Sequence, residues 1–244
     1  MALYQLKIAY DGTNFLGFQK QRKGRTVQAE IENALHRLDW KGKGITAAGR
    51  TDAGVHASGQ VIAFRLLWEH SLSELQNALN TNLPNDVSVM CIKGVSDDFH
   101  PRFSALSRKY VYRISCQEQR DPLKDRYAWR VWPEVEFDKL NAAAAILVGE
   151  HDFVAFGRPP KDDAGTIRRV SMAEWINDKN EFRFEVKANA YLYHMVRRMV
   201  FLQVRVGQGL MDIRELHSAV AGDRNIKPGI APACGLELAE VEYK

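Results

Sequence analysis

The chain has 244 residues, 45% of them hydrophobic and 26% charged, with a formal net charge of +4. That balance excludes a disordered or fibrous chain, and the length admits one large domain or two small ones. No apolar run approaches the roughly 18 residues that a membrane-spanning helix needs. Residues 1–7 enter a strand-like pattern with no basic-then-apolar leader, so the expected setting is cytoplasmic, with no membrane association.

The mild positive charge does not by itself imply nucleic acid, because distribution matters more than the total. Cys91, Cys116 and Cys234 lie far apart and form no C-x-x-C pair. This argues against a disulfide framework or a structural zinc site, and leaves three reduced, partly buried thiols as the expectation.

In chain order, residues 3–10 alternate around Leu6, Ile8 and Tyr10 and predict a strand, broken by Asp11-Gly12-Thr13-Asn14. From Thr26, a plausible N-cap, Val27, Ile31, Leu35 and Leu38 recur at helical spacing. Residues 59–67 predict a largely buried strand. Ser71-Leu72-Ser73-Glu74 fits a capping box that opens a helix running to about Leu83 and stopped by Pro84. Residues 87–92 and 109–115 are further strands. A helix is expected over 138–148, strands over 167–176 and 181–186 around a turn at 177–180, and a long helix from 190 to about 206. A short helix over 212–220 and a closing strand over 235–243 complete the pattern. The class is α+β, two similar halves divided between about 104 and 133, with a continuous sheet expected to join them.

The densest chemistry lies at Gly49-Arg50-Thr51-Asp52-Ala53-Gly54-Val55-His56. Gly49, Gly54 and Gly59 allow backbone conformations and close approaches denied to other residues, and polar, glycine-rich loops on a scaffold edge often carry function. An Asp close to an Arg stays ionised and can act as a nucleophile. On these residues alone, a tight turn in which Asp52 merely caps backbone amides is an equally good account.

The same octapeptide resembles the active-site signature of the tRNA pseudouridine synthase A family, and the likeness extends along the chain. Residues 10–19, Tyr-Asp-Gly-Thr-Asn-Phe-Leu-Gly-Phe-Gln, are similar to that family's opening motif. Phe99-His100-Pro101-Arg102-Phe103-Ser104-Ala105, followed by Arg108-Lys109-Tyr110-Val111-Tyr112, is similar to its central one. Residues 151–156, 188–197 and 232–238 are similar to its C-terminal blocks. The resemblance implies a pseudouridine synthase fold, with an N-terminal α/β half over 1–105 carrying the Asp loop and a C-terminal half over 106–244. The halves would share a mixed, mainly antiparallel central sheet flanked by helices. It implies isomerisation of uridine to pseudouridine at positions 38, 39 and 40 of the tRNA anticodon stem-loop, with no cofactor and no metal, by a homodimer.

Carried over residue by residue, the resemblance makes Asp52 the catalytic aspartate, Tyr110 the residue stacking on the substrate base and Arg197 the ion-pair partner of Asp52. A stem base must leave the stack to react, at a cost of a few kcal/mol. Arg50, two residues before Asp52, is placed to fill the vacated space or hold the neighbouring phosphate. Tyr112, on the same side of its strand as Tyr110, is more readily explained as part of a half-buried aromatic stripe. Arg198 is expected at the surface or on a phosphate. His56 is expected to be a scaffold or substrate-loop residue and not a general base, and His194 is open between core and RNA-facing positions.

Three basic runs are candidates for the RNA backbone: Lys20, Arg22, Lys23 and Arg25; Arg102, Arg108, Lys109 and Arg113; and Arg168 with Arg169. Phe201 departs from the family's pattern, which commonly has Gly shortly after the Met-Val-Arg run. A hydrolase would want paired carboxylates, and neither Asp11, Asp97 nor Asp98 offers a partner motif.

Overall fold

The computed structural model describes residues 1–159, 165–178 and 181–244. The class is α+β, a mixed and mainly antiparallel sheet flanked by helices. The chain divides into two compact units, Met1–Leu106 with Glu237–Lys244, and Ser107–Leu236.

In the first unit, β1 (Ala2–Tyr10) pairs antiparallel with both β3 (His56–Leu66) and β4 (Val87–Val95). The two-residue β2 (Thr46–Ala47) also joins β3. The buried set includes Leu6, Ile8, Ile62 and Phe64 of the strands, Ile31 and Leu35 of α1 (Val27–His36), and Leu75 and Leu79 of α2 (Leu72–Asn82), which packs on β4. Each such side chain contributes about 1.5–3 kcal/mol when fully buried. The expected capping box is formed: the Ser71 hydroxyl accepts from Glu74 N–H, and the Glu74 carboxylate accepts from Ser71 N–H. Thr26 occupies the N-cap of α1 by position, yet its hydroxyl makes no capping bond. The first amides of that helix donate instead to the Gly17 and Phe18 carbonyls.

The closing strand β10 (Leu236–Glu242) departs from the expected division of the chain. Residues 237–244 cluster with the first unit, because Glu237 and Leu238 pair in parallel with His56 and Ala57 of β3. A Cβ on Gly59 would stand 2.0 Å from the Ala239 carbonyl oxygen. Glycine at position 59 is what lets these two strands meet.

In the second unit, β5 (Ser107–Cys116), β9 (Glu181–Ala188), β8 (Ile167–Asp178) and β7 (Gly149–Asp152) follow one another antiparallel, and the short β6 (Trp129–Val131) lies parallel to β5. Helix α3 (Phe137–Ala145) packs on β8 and on α4 (Met195–Gly207), and α5 (Ile213–Val220) follows with a second capping box, Asp212 with Glu215. Tyr112, Phe153, Phe156 and Phe184 fill the core. The turn expected at 177–180 is only partly visible: Asn177 and Asp178 extend β8, and residues 179–180 lie outside the described residues.

The long helix expected from residue 190 starts five residues later. Tyr193 N–H donates to the Arg158 carbonyl, and these two residues form an isolated antiparallel bridge. His194 then takes a left-handed conformation, φ 67°, as the N-cap of α4. Helical propensity over residues 190–194 is overridden by that bridge.

Candidate active site

The Asp52 loop is held from beneath by the opening motif. A 3-10 turn over Gly12–Asn14 follows β1, capped by the Asp11 carboxylate, which accepts from Thr13 N–H at 3.0 Å and Thr13 Oγ1 at 2.6 Å. A Cβ on Gly12 would lie 2.0 Å from the Val55 carbonyl oxygen, and one on Gly17 (φ 97°) 2.9 Å from that of Thr51. Both glycines let the motif press against residues 51–55, and hydrogen bonds complete the contact: Phe18 N–H to Thr51 O at 3.0 Å, and Gly54 N–H to Phe15 O at 3.3 Å.

The loop is closed on itself by Val55 N–H donating to Asp52 O at 3.2 Å, with Gly54 at φ 78°. Its start is tied down by Gln60, whose side chain is fully buried and donates to Gly49 O at 3.0 Å.

Thr51 anchors the middle of the loop. It is buried, and its hydroxyl is 2.8 Å from the Tyr10 hydroxyl. Beside it, Arg50 is exposed and Asp52 half-buried. Burial pushes the Tyr10 phenol up to about 12, against the smaller opposing effect of its bonds to Thr51 and Gln60. Tyr10 is therefore neutral in the physiological range and acts as a fixed prop.

His56 opens β3 and is buried. Its Nδ1 is 3.1 Å from the Gly12 N–H and 3.2 Å from Asp11 Oδ1. The Gly12 amide donates to Nδ1, which also stands beside the Asp11 carboxylate, so His56 ties the start of β3 to the opening motif.

In the second unit, Tyr110 is half-buried on β5, its ring edge-on to Tyr191 at 5.0 Å. The Tyr191 hydroxyl lies within hydrogen-bond distance of the Val186 and Arg108 carbonyls, 3.0 and 3.2 Å, and burial raises its phenol well above the ordinary value. Tyr110 thus stands against a ring that is itself immobilised. Tyr112 is fully buried and donates to the Pro232 carbonyl at 2.8 Å, which makes it core.

Arg197, on α4, donates its Nε–H to the Ala231 carbonyl at 2.8 Å. Arg198, half-buried on α4, donates to the Lys227 carbonyl and to that of Gly229, and desolvation lowers its pKa. Its guanidinium lies 5.8 Å from the Phe201 ring, which itself abuts Gly229, so the Phe201 departure is absorbed by packing against the 227–231 segment.

The basic candidates divide by what already holds them. The Lys20 ammonium is 2.9 Å from Glu32, which is almost fully buried. Burial alone would raise the Glu32 carboxyl, but bonds from Lys20, Gln28 and the Ile45 amide outweigh it and hold the pKa down. Arg25 makes a bidentate pair with Asp86, 2.6 and 2.8 Å, reaches Glu30 at 2.8 Å and stacks over Phe15.

Lys109 is paired with Glu185 at 2.6 Å and Arg169 with Glu150 at 3.1 Å. Arg108 donates to Asn189 O, and the buried Arg168 donates to Gly165 O and Ile167 O. Arg113 sits half-buried on β5, and Arg22, Lys23 and Arg102 are exposed.

What the residues alone did not disclose is the scaffold role of Tyr10, Gly12, Gly17 and Gln60. The two glycines beside a polar turn were the available signal, but their contacts are with residues about 35–45 positions later in the chain.

A family model described as tRNA pseudouridine synthase matches residues 7–104 and 143–244. The "tRNA pseudouridine synthase A" of Latilactobacillus sakei is 38% identical over 247 residues, 99% of this chain and 98% of its own. That of Streptococcus mutans is 38% identical over 249 residues, covering 100% and 99%. That of Leuconostoc citreum is 36% identical over 254 residues, covering 100% and 98%.

Proposed function

The chain belongs to the tRNA pseudouridine synthase family, and we propose that it acts on uridines 38, 39 and 40 of the anticodon stem-loop with Asp52 as the nucleophile. The observation that carries this reading is the Asp52 loop itself. The signature segment is intact, with Thr51 buried against Tyr10, Arg50 exposed and Asp52 half-buried, in a chain matched end to end by its relatives. The isomerisation breaks the N1–C1′ bond, turns the uracil and forms C5–C1′; C5 loses its hydrogen as a proton, N1 takes one up, and the bond that Asp52 makes as nucleophile is broken again, which returns its carboxylate. One C–N bond is exchanged for one C–C bond, so no electron acceptor is required.

Roles for the other residues rest on the resemblance and on general chemistry. Tyr110, backed by Tyr191, would stack on the flipped uracil, a contact worth about 1–3 kcal/mol per base. Arg197, its guanidinium steadied on Ala231, would pair with the Asp52 carboxylate and keep it ionised. Arg50 would hold the opened position in the stem or the phosphate beside it. A homodimer working in the cytoplasm completes the proposal; a single-subunit mass in sedimentation, with full activity at low concentration, would remove the dimer.

Phosphate contact is assigned first to the exposed Arg22 and Lys23, since Lys20 and Arg25 are engaged by Glu32, Asp86 and Glu30. Changing Arg22 and Lys23 to Ala should lessen the dependence of log K on log salt by about 1–2. An unchanged slope would count against that loop.

Asp52 is tested with unmodified tRNA carrying tritium on uracil C5. The wild-type chain should release the label, and Asp52→Asn should do so about 10⁴-fold more slowly or less. Equal release by both would overturn the role of Asp52.

A further inference from the structure

The connection between β4 and β5 presents an aromatic ring that the chemistry above does not use. Phe103 is 76% exposed, yet the turn bearing it is firmly tied. His100 Nδ1 accepts the N–H groups of Arg102 and Phe103 at 3.1 and 3.3 Å. The His100 N–H goes to Ser104 Oγ at 3.1 Å, and Ser104 N–H returns to His100 O at 2.9 Å. Phe99 packs against Tyr243 at 5.2 Å, and the Tyr243 hydroxyl donates to Pro101 O at 2.8 Å. The Phe103 ring itself is bounded by the His100 imidazole, 4.4 Å away and tilted 32°, and by the Arg102 guanidinium at 5.7 Å.

A lone exposed hydrophobic residue needs no explanation by itself. Here, however, the backbone beneath the ring is fixed while most of the ring's surface stays wet. The ordering cost is met without the burial that normally offsets it. A partner that covers the ring would recover that burial.

The surroundings define its chemistry. Phe103 sits between two exposed polar residues, Arg102 and Ser104, with the Arg102 guanidinium at its side. A flat π-face beside a guanidinium fits a nucleobase with its phosphate.

We propose that Phe103, flanked by Arg102 and His100, is a stacking platform for an unpaired tRNA base other than the target uridine. The proposal rests on the reading of the chain as a tRNA-acting enzyme and adds a second contact to it.

The test measures retention of unmodified tRNA on nitrocellulose, with every variant built on Asp52→Asn so that affinity is read without turnover. Phe103→Ala should bind about 5- to 150-fold more weakly. Phe103→Tyr should stay within about twofold of the parent, since it keeps the ring, and Phe103→Leu should follow Phe103→Ala. Parental affinity in Phe103→Ala, or full rescue by Phe103→Leu, would overturn the proposal. So would a change of sedimenting mass in Phe103→Ala, which would make the ring a contact between copies. If Phe103→Ala lowers the melting temperature, the comparison of Tyr with Leu decides. Loss of the Asp52 reading would appear as label release from Asp52→Asn and would leave this order of affinities standing.

Discussion

The loop at residues 49–56 and the segment at 190–198 carry the two densest groups of functional candidates, and their backbones are held by opposite means. In the first, the close approaches are made by glycine: Gly12 and Gly17 press on residues 51–55, and Gly54 takes the positive φ. In the second, the positive φ falls on His194, a residue with a full side chain, whose ring stacks on that of Tyr193 at 3.7 Å. A left-handed conformation costs a non-glycine residue about 1–2 kcal/mol, so the second region keeps a side chain where a glycine would be easier. The loop is thus shaped by what must be absent, and the entrance to α4 by what must be present.

That contrast can be broken first at Gly12. Gly12→Ala drives a methyl group into the Val55 carbonyl and should cost about 3 kcal/mol or more, lowering the melting temperature and label release together. Gly49→Ala, with nothing within 4 Å of the added carbon, should stay within about 0.5 kcal/mol. Equal costs at the two positions would show that the loop is not pressed onto the opening motif.

A smaller effect tests the other region. His194→Val should be less stable than His194→Gly by about 2 kcal/mol in denaturant titrations, because a β-branched residue tolerates positive φ least. The reverse order would remove the strain from α4.

The smallest effect is a pH dependence. Tyr10→Phe removes the bond to Thr51 and should cost about 1 kcal/mol near neutrality. Its phenol holds its proton to about pH 12 when folded and to about 10.0 when unfolded. The stability that this adds is therefore complete below pH 10 and is lost as pH rises toward 12. Burial raises Tyr112 and Tyr191 in the same direction, so Tyr10→Phe should flatten the alkaline decline without abolishing it. An unaltered decline would mean that Tyr10 is not the buried prop described.

Much of this was legible in the amino-acid order. The long strands announce themselves by alternation, and both capping boxes, Ser71 with Glu74 and Asp212 with Glu215, formed where local chemistry required. The start of α4 was not legible, because residues 190–194 favour helix locally and only the distant Arg158 carbonyl claims Tyr193. The brief strands β2, β6 and β7, of two to four residues, are too short to show a period. Residues 237–244 were expected with the second half, since parallel pairing with β3 depends on Gly59, far back in the chain.

At the site, Asp52 and its loop stood out by composition, whereas the fates of the cations did not. Lys20 and Arg25 read like Arg22 and Lys23 in a basic run, but Glu32 and Asp86 come to them only through folding.

The central proposal is that the chain isomerises uridines of the anticodon stem-loop with Asp52 as the nucleophile. Its most direct test is to incubate unmodified tRNA with the chain and map pseudouridine by carbodiimide-dependent reverse-transcription stops. Stops at positions 38, 39 and 40 with the wild-type chain, and none with Asp52→Asn, are the predicted result. Stops at other positions, or the same stops with Asp52→Asn, would contradict it.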